Sequence, residues 1–360
     1  MTRIYLDHAA TTPLRPEARE AMERGFAMWA NPSSPHAEGR AARAALENAR
    51  ERVKAALGWD GEVIFTSGAS EALAIGLGRA KAERRLVSAV EHDAVFRAAP
   101  DAETIPLARD EDGLAEPDLD WLADRLAREG RAVVAVQSIN SETGAVLLPH
   151  DRNAIAPLVR EAGGVFLADC SQSAGRVPLP DADMIVVSAH KLGGPVGIGA
   201  LLVKDFALLE PSGGHERGYR AGTENLPGAL GFAAALEAGG IECWPTSYPQ
   251  RFEFKDLLSR KGEVLRPSRQ CSHIVAVAAE RLSAAALLIR LDAMGFSVSA
   301  GSACSSGTLK QSRALAAFGI APAVAERTIR VSIGWNTTAE ELDAFANAWL
   351  EVAGDTGKAA

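Results

Sequence analysis

Between about Gly61 and Lys204 the chain alternates short runs that are apolar on both faces with longer stretches of helical periodicity. The runs are EVIFTSG, RLVSAV, AVVAVQSI, GVFLADC, DMIVVSAH and GALLVKD, rich in Val, Ile and Leu. Strands of that kind are covered by other elements on both sides. Helical stretches lie between several of them, such as SEALAIGLGRAKAER and DLDWLADRLAREG, the latter with Leu119, Leu122 and Leu126 on one face. This alternation predicts an α/β domain around a mainly parallel sheet.

After about Gly240 the rhythm changes. HIVAVAA and RTIRVSI read as strands, and LSAAALLIRLDAMG and a final segment from Thr338 as helices, which makes a smaller α+β unit. CWPTSYPQRFEF is poorly periodic and reads as connecting chain. The expected division is a large α/β domain over residues 15–238 and a small α+β domain from residues 1–14 and 239–360. A chain of 360 residues fits such a two-domain arrangement.

Composition narrows the function classes. The chain is 47% hydrophobic and 23% charged, with a net charge of −8 from 38 basic and 46 acidic residues. No basic block stands out, which argues against nucleic acid or an anionic membrane as a main partner. The four cysteines, Cys170, Cys243, Cys271 and Cys304, are widely spaced and form no C-x-x-C pair. That pattern suits a reducing cytoplasm better than a disulfide framework or a thiolate zinc site. The N-terminus lacks a secretory apolar region, and no run approaches the ~18 apolar residues of a membrane span. A metal hydrolase is disfavoured because the seven histidines are scattered without H-E-x-x-H. A nicotinamide enzyme is disfavoured for want of a strand, G-x-G-x-x-G and helix in succession.

The chemistry sits where the apolar runs end, as ligand sites of such sheets do. FTSGASEA brings Ser67, Gly68, Ala69 and Ser70 into the start of a helix, an anion site of backbone N–H groups, dipole and hydroxyl. SAVEHDAV offers His92, QSINSETG offers Asn140 and Ser141, and FLADCSQS offers Asp169 and Gln172. VVSAHKLGG offers Ser188, His190 and Lys191. Any one of these alone has an ordinary structural reading. Together, a phosphate cradle, an acid, a ring-stacking histidine and a lysine are the parts pyridoxal phosphate needs. The lysine binds the aldehyde as a Schiff base and the acid keeps the pyridine nitrogen protonated.

The order of the motifs YLDHAATTP, NPSSPHAEGR, FTSGASEA, VEHDAV, NSETG, ADCSQSAG, SAHKLGGPVGIGAL, GGHERGYRAGT, SAGSACSSG and IRVSIG resembles the group I cysteine desulfurases. These are class V, fold-type I pyridoxal-phosphate enzymes, and the likeness spans nearly the whole chain. The resemblance implies a seven-stranded, mainly parallel sheet in the large domain and a cytoplasmic homodimer. It implies conversion of L-cysteine to L-alanine, with the sulfur passed to Cys304 as a persulfide. From there it would go to an acceptor or scaffold protein for iron–sulfur clusters or other sulfur-containing cofactors or tRNA. Lys191 would carry the cofactor. Ala69, Ser70, Ser188 and His190 would bind its phosphate, together with Thr223 of the partner subunit. His92 would stack on the ring and assist proton transfers, Asp169 would meet the ring nitrogen, and Gln172 the phenolic oxygen. Arg330 would grip the substrate carboxylate with its fork of donors.

Two positions depart from the family's pattern. Ser70 stands where relatives have threonine, which keeps the hydroxyl. Ser141 stands where relatives have an asparagine bonded to the phenolic oxygen. Either Ser141 reaches through water, Asn140 turns inward, or Gln172 carries that bond alone. Cys304 lies in a Gly/Ser-rich stretch that reads as a loop, and it separates a desulfurase from an aminotransferase, selenocysteine lyase or epimerase on the same scaffold. A low-turnover sulfur-relay or scaffold protein is the alternative from another class. Cys170 follows an apolar strand and reads as core.

Overall fold

The apolar runs become strands because each one feeds two cores at once. The structure, a computed structural model, describes residues 3–150, 153–301 and 312–354. In chain order the strands are β1 (Ile4–Tyr5), β2 (Glu62–Thr66), β3 (Arg84–Ser88), β4 (Glu103–Ile105), β5 (Leu107–Arg109), β6 (Ala115–Pro117), β7 (Ala132–Gln137) and β8 (Val165–Asp169). They continue with β9 (Met184–Ser188), β10 (Gly199–Val203), β11 (Gly262–Val264), β12 (Ile274–Ala279), β13 (Phe296–Ser297), β14 (Ser299–Ala300) and β15 (Thr328–Ser332). In β9, Ile185 and Val187 enter one core while Met184 and Val186 enter the other. Val134 and Val136 of β7, and Val133 and Ala135, divide in the same way. Side chains of a strand alternate between its faces, so a sheet with two buried faces shows no polar alternation.

Seven strands form this sheet in the order β2-β10-β9-β8-β7-β3-β4. The steps from β9 through β8, β7 and β3 to β4 are all parallel. Only β10 runs against its neighbours, β9 and β2. The carboxyl ends of β2, β9, β8, β7 and β3 therefore open on one edge, and the first residue of β10, Gly199, joins them there. Of the seven strands only β4 is missing from the apolar runs: it has three residues at the sheet margin, and Thr104 is exposed.

One layer on the sheet is helical. The helices Pro16–Met28 and Ala37–Leu57 both pack on Leu226–Glu237. The approach is close at Gly25, where a Cβ would fall 2.6 Å from the Pro227 Cα. The helix Leu119–Leu126 buries Leu122 and Leu126, but Leu119, its first residue, is exposed. The three still share one face of the helix, and Leu119 stands at its open end.

The second core lies against the sheet β11-β12-β15-β14. Val275 and Val277 of β12 meet Leu287 and Leu291 of the helix Ala284–Ala293 and Phe345 and Trp349 of the helix Ala339–Gly354. The stretch expected to be connecting chain is instead partly the helix Tyr248–Leu258. Ser247 and Gln250 close a capping box, with the Gln250 N–H donating to Ser247 Oγ and the Ser247 N–H to Gln250 Oε1. Its buried face is Arg251, Phe254, Lys255 and Leu258, and two charged residues on that face hide the apolar period. β1 pairs in parallel with β13, so the start of the chain joins this second unit. No helix among the described residues is long and apolar enough to cross a membrane.

A buried ion pair ties β2 to the loop that follows β10. Arg50 Nη1 donates to Glu216 Oε2 at 2.8 Å and to the Val63 carbonyl at 2.6 Å, and the Phe65 N–H reaches the same Glu216 oxygen at 2.9 Å. Both side chains are almost fully buried. Glu216→Ala leaves the Arg50 charge uncompensated, and the expected loss is about 3–5 kcal/mol of unfolding free energy in a urea titration. A loss below about 1 kcal/mol would show that the pair does not hold this strand in place.

Candidate active site

At the sheet's carboxyl edge a cavity of about 490 Å³ opens. Its walls bring together Ala69, Ser70, His92, Ser141, Asp169, Gln172, Ser188, His190, Lys191 and Arg330. Their positions follow from the strands. Asp169 is the last residue of β8, and its Oδ1 accepts from the Ser171 N–H at 2.9 Å and the Ser171 hydroxyl at 2.6 Å. The carboxylate is thereby fixed at the strand end by a local turn. Ser188 ends β9, and the next three residues form a tight turn that delivers His190 and Lys191.

Lys191 Nζ donates to the carbonyls of Ala9 and Ala10, at 2.6 and 2.7 Å. Its pKa is pushed down to about 8, first by burial, then by Arg330 and Arg176, against the pull of Asp7 and Asp169. A lysine at that value holds an appreciable neutral fraction near physiological pH. His92 caps the helix Asp93–Ala98, with its Nδ1 accepting from the Ala94 N–H at 3.1 Å. In the neutral ring the proton then sits on Nε2. Burial lowers the His92 pKa, Asp169 raises it, and Lys191 lowers it again. His190 is held down to about 4 by burial and by Lys191, and its Nδ1 lies 3.1 Å from Thr11 Oγ1.

The expected anion cradle is the start of the helix Ala69–Gly78. No side chain caps it. The residue before it, Gly68, has φ +149°, where a side chain is rarely tolerated. Gly199 of β10 backs this turn so closely that a Cβ would lie 2.8 Å from the Gly68 Cα and 2.6 Å from the Val187 carbonyl. The first turn of the helix thus presents N–H groups beside Ser188 and His190.

Arg330 is buried on β15. Its Nη1 donates to the Ser141 carbonyl at 3.0 Å and its Nη2 to Asp7 Oδ1 at 2.7 Å, while Nε makes no hydrogen bond among the described residues. Asn140 is spent on its own loop. Its Nδ2 donates to the Val90 carbonyl, and its Oδ1 accepts from the N–H groups of Glu142 and Thr143 and from the Thr143 hydroxyl. Asn140 therefore does not line the cavity, and of the two neighbours it is Ser141 that does. Gln172 lines it too, with Nε2 donating to the Ala9 carbonyl at 2.9 Å. Thr223 is exposed and away from this chain's cavity. Cys304 lies outside the described residues.

Three groups escaped the sequence reading. Asp7 holds one arm of Arg330. Ser171 fixes Asp169. Glu91 is buried beside the site, accepting from the Gln137 N–H at 2.7 Å, and burial together with Asp169 raises its pKa well above the ordinary carboxyl value. Asp7, Ser171 and Glu91 stand inside motifs already singled out, yet nothing local marks them as different from surface residues.

Comparison with known proteins agrees with this arrangement. Residues 4–345 match the family described as aminotransferase class-V. A protein of Cereibacter sphaeroides named cysteine desulfurase is 37% identical, over 95% of this chain and 94% of its own length. A protein of Dictyoglomus turgidum named cysteine desulfurase IscS is 33% identical, over 94% of this chain and 92% of its own. The solved structure of a NifS-like protein from Rickettsia africae has the same fold, with a TM-score of 0.83 over 98% of this chain and 99% of that one at 24% identity. The chain belongs to the class V aminotransferase family, whose enzymes work with pyridoxal phosphate, and within it to the cysteine desulfurases.

Proposed function

We propose that this chain takes sulfur from L-cysteine, leaves L-alanine, and carries the sulfur on Cys304 as a persulfide, with pyridoxal phosphate as its cofactor. The observation that carries the reading is one cavity holding a buried lysine of lowered pKa, a fixed carboxylate, an uncapped helix start and a buried guanidinium.

The residues fit the cofactor. The N–H groups at Ala69 and Ser70, with Ser188 and His190, would hold its phosphate, Asp169 its ring nitrogen, His92 its ring face and Gln172 its phenolic oxygen. Ser141 would add at most a water-bridged contact in place of the family's asparagine, since Asn140 is fully engaged in its loop. When bound, pyridoxal phosphate supplies an electron sink for the α-carbon of an amino acid.

The chain's own groups do the rest. Arg330 orients the substrate carboxylate. Lys191, through its neutral fraction, takes the α-proton and later returns it within the cavity. Burial that excludes water from Nζ lowers its pKa, so that more of the amine is unprotonated and able to accept a proton near neutral pH. The Cys304 thiolate attacks the substrate sulfur. An S–S bond forms as the C–S bond breaks, the bonding pair passes to the substrate's β-carbon, and a proton completes the methyl group of alanine. A free cysteine near pKa ~8.5 is only a few per cent thiolate at neutral pH, so Cys304 must first give up its proton to a group of the site or to the substrate.

We read the active form as a homodimer in the cytoplasm. Supporting the dimer are Thr223, exposed beside no cavity of its own, and the exposed apolar side chains of Phe26, Trp29 and Val196, of which Val196 lies at the cavity rim. Supporting the compartment are Cys170, Cys243 and Cys271, all free thiols. The persulfide's acceptor is a sulfur-acceptor or iron–sulfur scaffold protein, by kinship with the relative named IscS.

Three outcomes test the reading. Borohydride reduction of the purified protein, followed by peptide mapping, should place the pyridoxyl group on Lys191; a different lysine would overturn the assignment. Arg330→Lys should raise KM for cysteine roughly tenfold to a hundredfold with a smaller effect on kcat, because a point-charge ammonium loses a charge-assisted bond worth ~1.5–3 kcal/mol. An unchanged KM would move the carboxylate site elsewhere. Cys304→Ala should still bind cofactor and change its absorbance on adding cysteine, yet release neither alanine nor sulfide. Release at the wild-type rate would make the protein a lyase of another kind.

A further inference from the structure

Behind Lys191 stands a buried guanidinium that none of the roles above uses. Arg176 closes the turn that follows β8 and is 6% exposed. Its Nη1 donates to the Gln172 carbonyl at 2.7 Å, its Nη2 donates to the Lys191 carbonyl, and Nε makes no hydrogen bond among the described residues. One side chain thus bridges the turns beyond two neighbouring strands, β8 and β9, and both turns carry cavity residues. Two donors in a fixed plane suit this bridging, which a single ammonium cannot reproduce.

We propose that Arg176 is a positioning residue for the reaction: its guanidinium locks the Lys191 turn to the Gln172 turn and sets a fixed positive charge behind the Lys191 amine. The role rests on reading Lys191 as the reactive lysine. The charge is felt by several neighbours. After burial, Arg176 is the main cause holding His8 down to about 3, and it acts likewise on His273. On Lys191 it follows burial and Arg330. The other groups that face Lys191 are Asp7 and Asp169, which favour its charged form, and His92 and His190. Those that face Arg176 itself are Cys271 and Arg15.

The sign follows directly. A like charge disfavours the ammonium, so removing Arg176 should raise the pH at which the Lys191 amine becomes neutral. The test is trace acetylation of the full-length chain, freed of cofactor, with acetic anhydride across a pH series. Peptide mapping by mass spectrometry then gives the titration midpoint of each lysine without any turnover. Arg176→Gln should move the Lys191 midpoint up by about one pH unit and leave exposed Lys81 unchanged. Arg176→Lys, which keeps the charge, should hold the wild-type midpoint. A folded Arg176→Gln chain with an unmoved Lys191 midpoint overturns the proposal, as does Arg176→Lys shifting it as far as Arg176→Gln. Should Arg176→Gln fail to fold, the uncharged Arg176→Met takes its place: a Lys191 midpoint raised by about one unit supports the role and an unmoved one refutes it. Borohydride mapping to another lysine would refute the reading of Lys191, whereas an unmoved midpoint with the adduct on Lys191 refutes only the role of Arg176.

Discussion

The desolvated amine of Lys191 is the constraint around which the site is arranged. Taken from water, an ammonium must find acceptors or give up its proton. Here two carbonyls, of Ala9 and Ala10, stand in for water without adding the negative charge that would restore the ammonium's preference. Those carbonyls belong to the start of the chain, which is itself strung between the two units. On one side the Ser332 N–H donates to the Leu6 carbonyl, and the Ala9 N–H to Ser332 Oγ. On the other, the Thr12 N–H donates to the His190 carbonyl and the Thr12 hydroxyl to that of Lys191. Residues 6–12 therefore form a strap from the strand of Arg330 to the turn of Lys191. A shift of either unit would disturb the surroundings of both Lys191 and Arg330, which couples the small sheet to the cavity of the large one.

Much of this was legible from sequence, and for a physical reason. A sheet buried on both faces needs apolar residues at every position, so β7, β8, β9 and β10 announce themselves as runs. A parallel sheet puts its ligand site at the carboxyl ends, so the short polar motifs that follow those runs name the cavity walls. Lys191, Asp169, Ser188 and His92 could be found in that way because each ends its strand or follows it within a few residues.

What stayed hidden depends on partners far along the chain. Asp7 looks like any polar residue of a loop until β15 brings Arg330 against it, more than three hundred positions away. Arg176 looks like a surface arginine, and nothing before folding says that its donors face two carbonyls. Asn140 was a candidate because its type and position suited the cofactor, but the turn of residues 140–144 satisfies its side chain first. The helix Tyr248–Leu258 failed the periodicity test because its buried face carries Arg251 and Lys255, each bonded to backbone carbonyls, rather than apolar groups. In each case a polar side chain is buried through long-range or loop hydrogen bonds, and apolar periodicity cannot report on those.

The pairing of Arg330 with Asp7 bears on how a substrate can bind at all. The guanidinium has both terminal nitrogens engaged, one by a carboxylate and one by the Ser141 carbonyl, so its end-on fork is not simply waiting for a ligand. Displacing Asp7 would exchange one ion pair for another and strand a carboxylate in a half-buried place, a costly route. Each terminal nitrogen keeps one further N–H, and Nε is buried and unbonded among the described residues. A buried donor without a partner is unfavourable, by about 1–3 kcal/mol, and a carboxylate placed on the side of Nε and Nη2 would remove that penalty. Asp7 could then remain on Nη2 and share it, holding the guanidinium plane still while the incoming oxygen satisfies Nε. Asp7 is the counter-charge that holds the Arg330 plane, and if Arg330 takes the substrate carboxylate as proposed, Nε is a donor that gains a partner on binding.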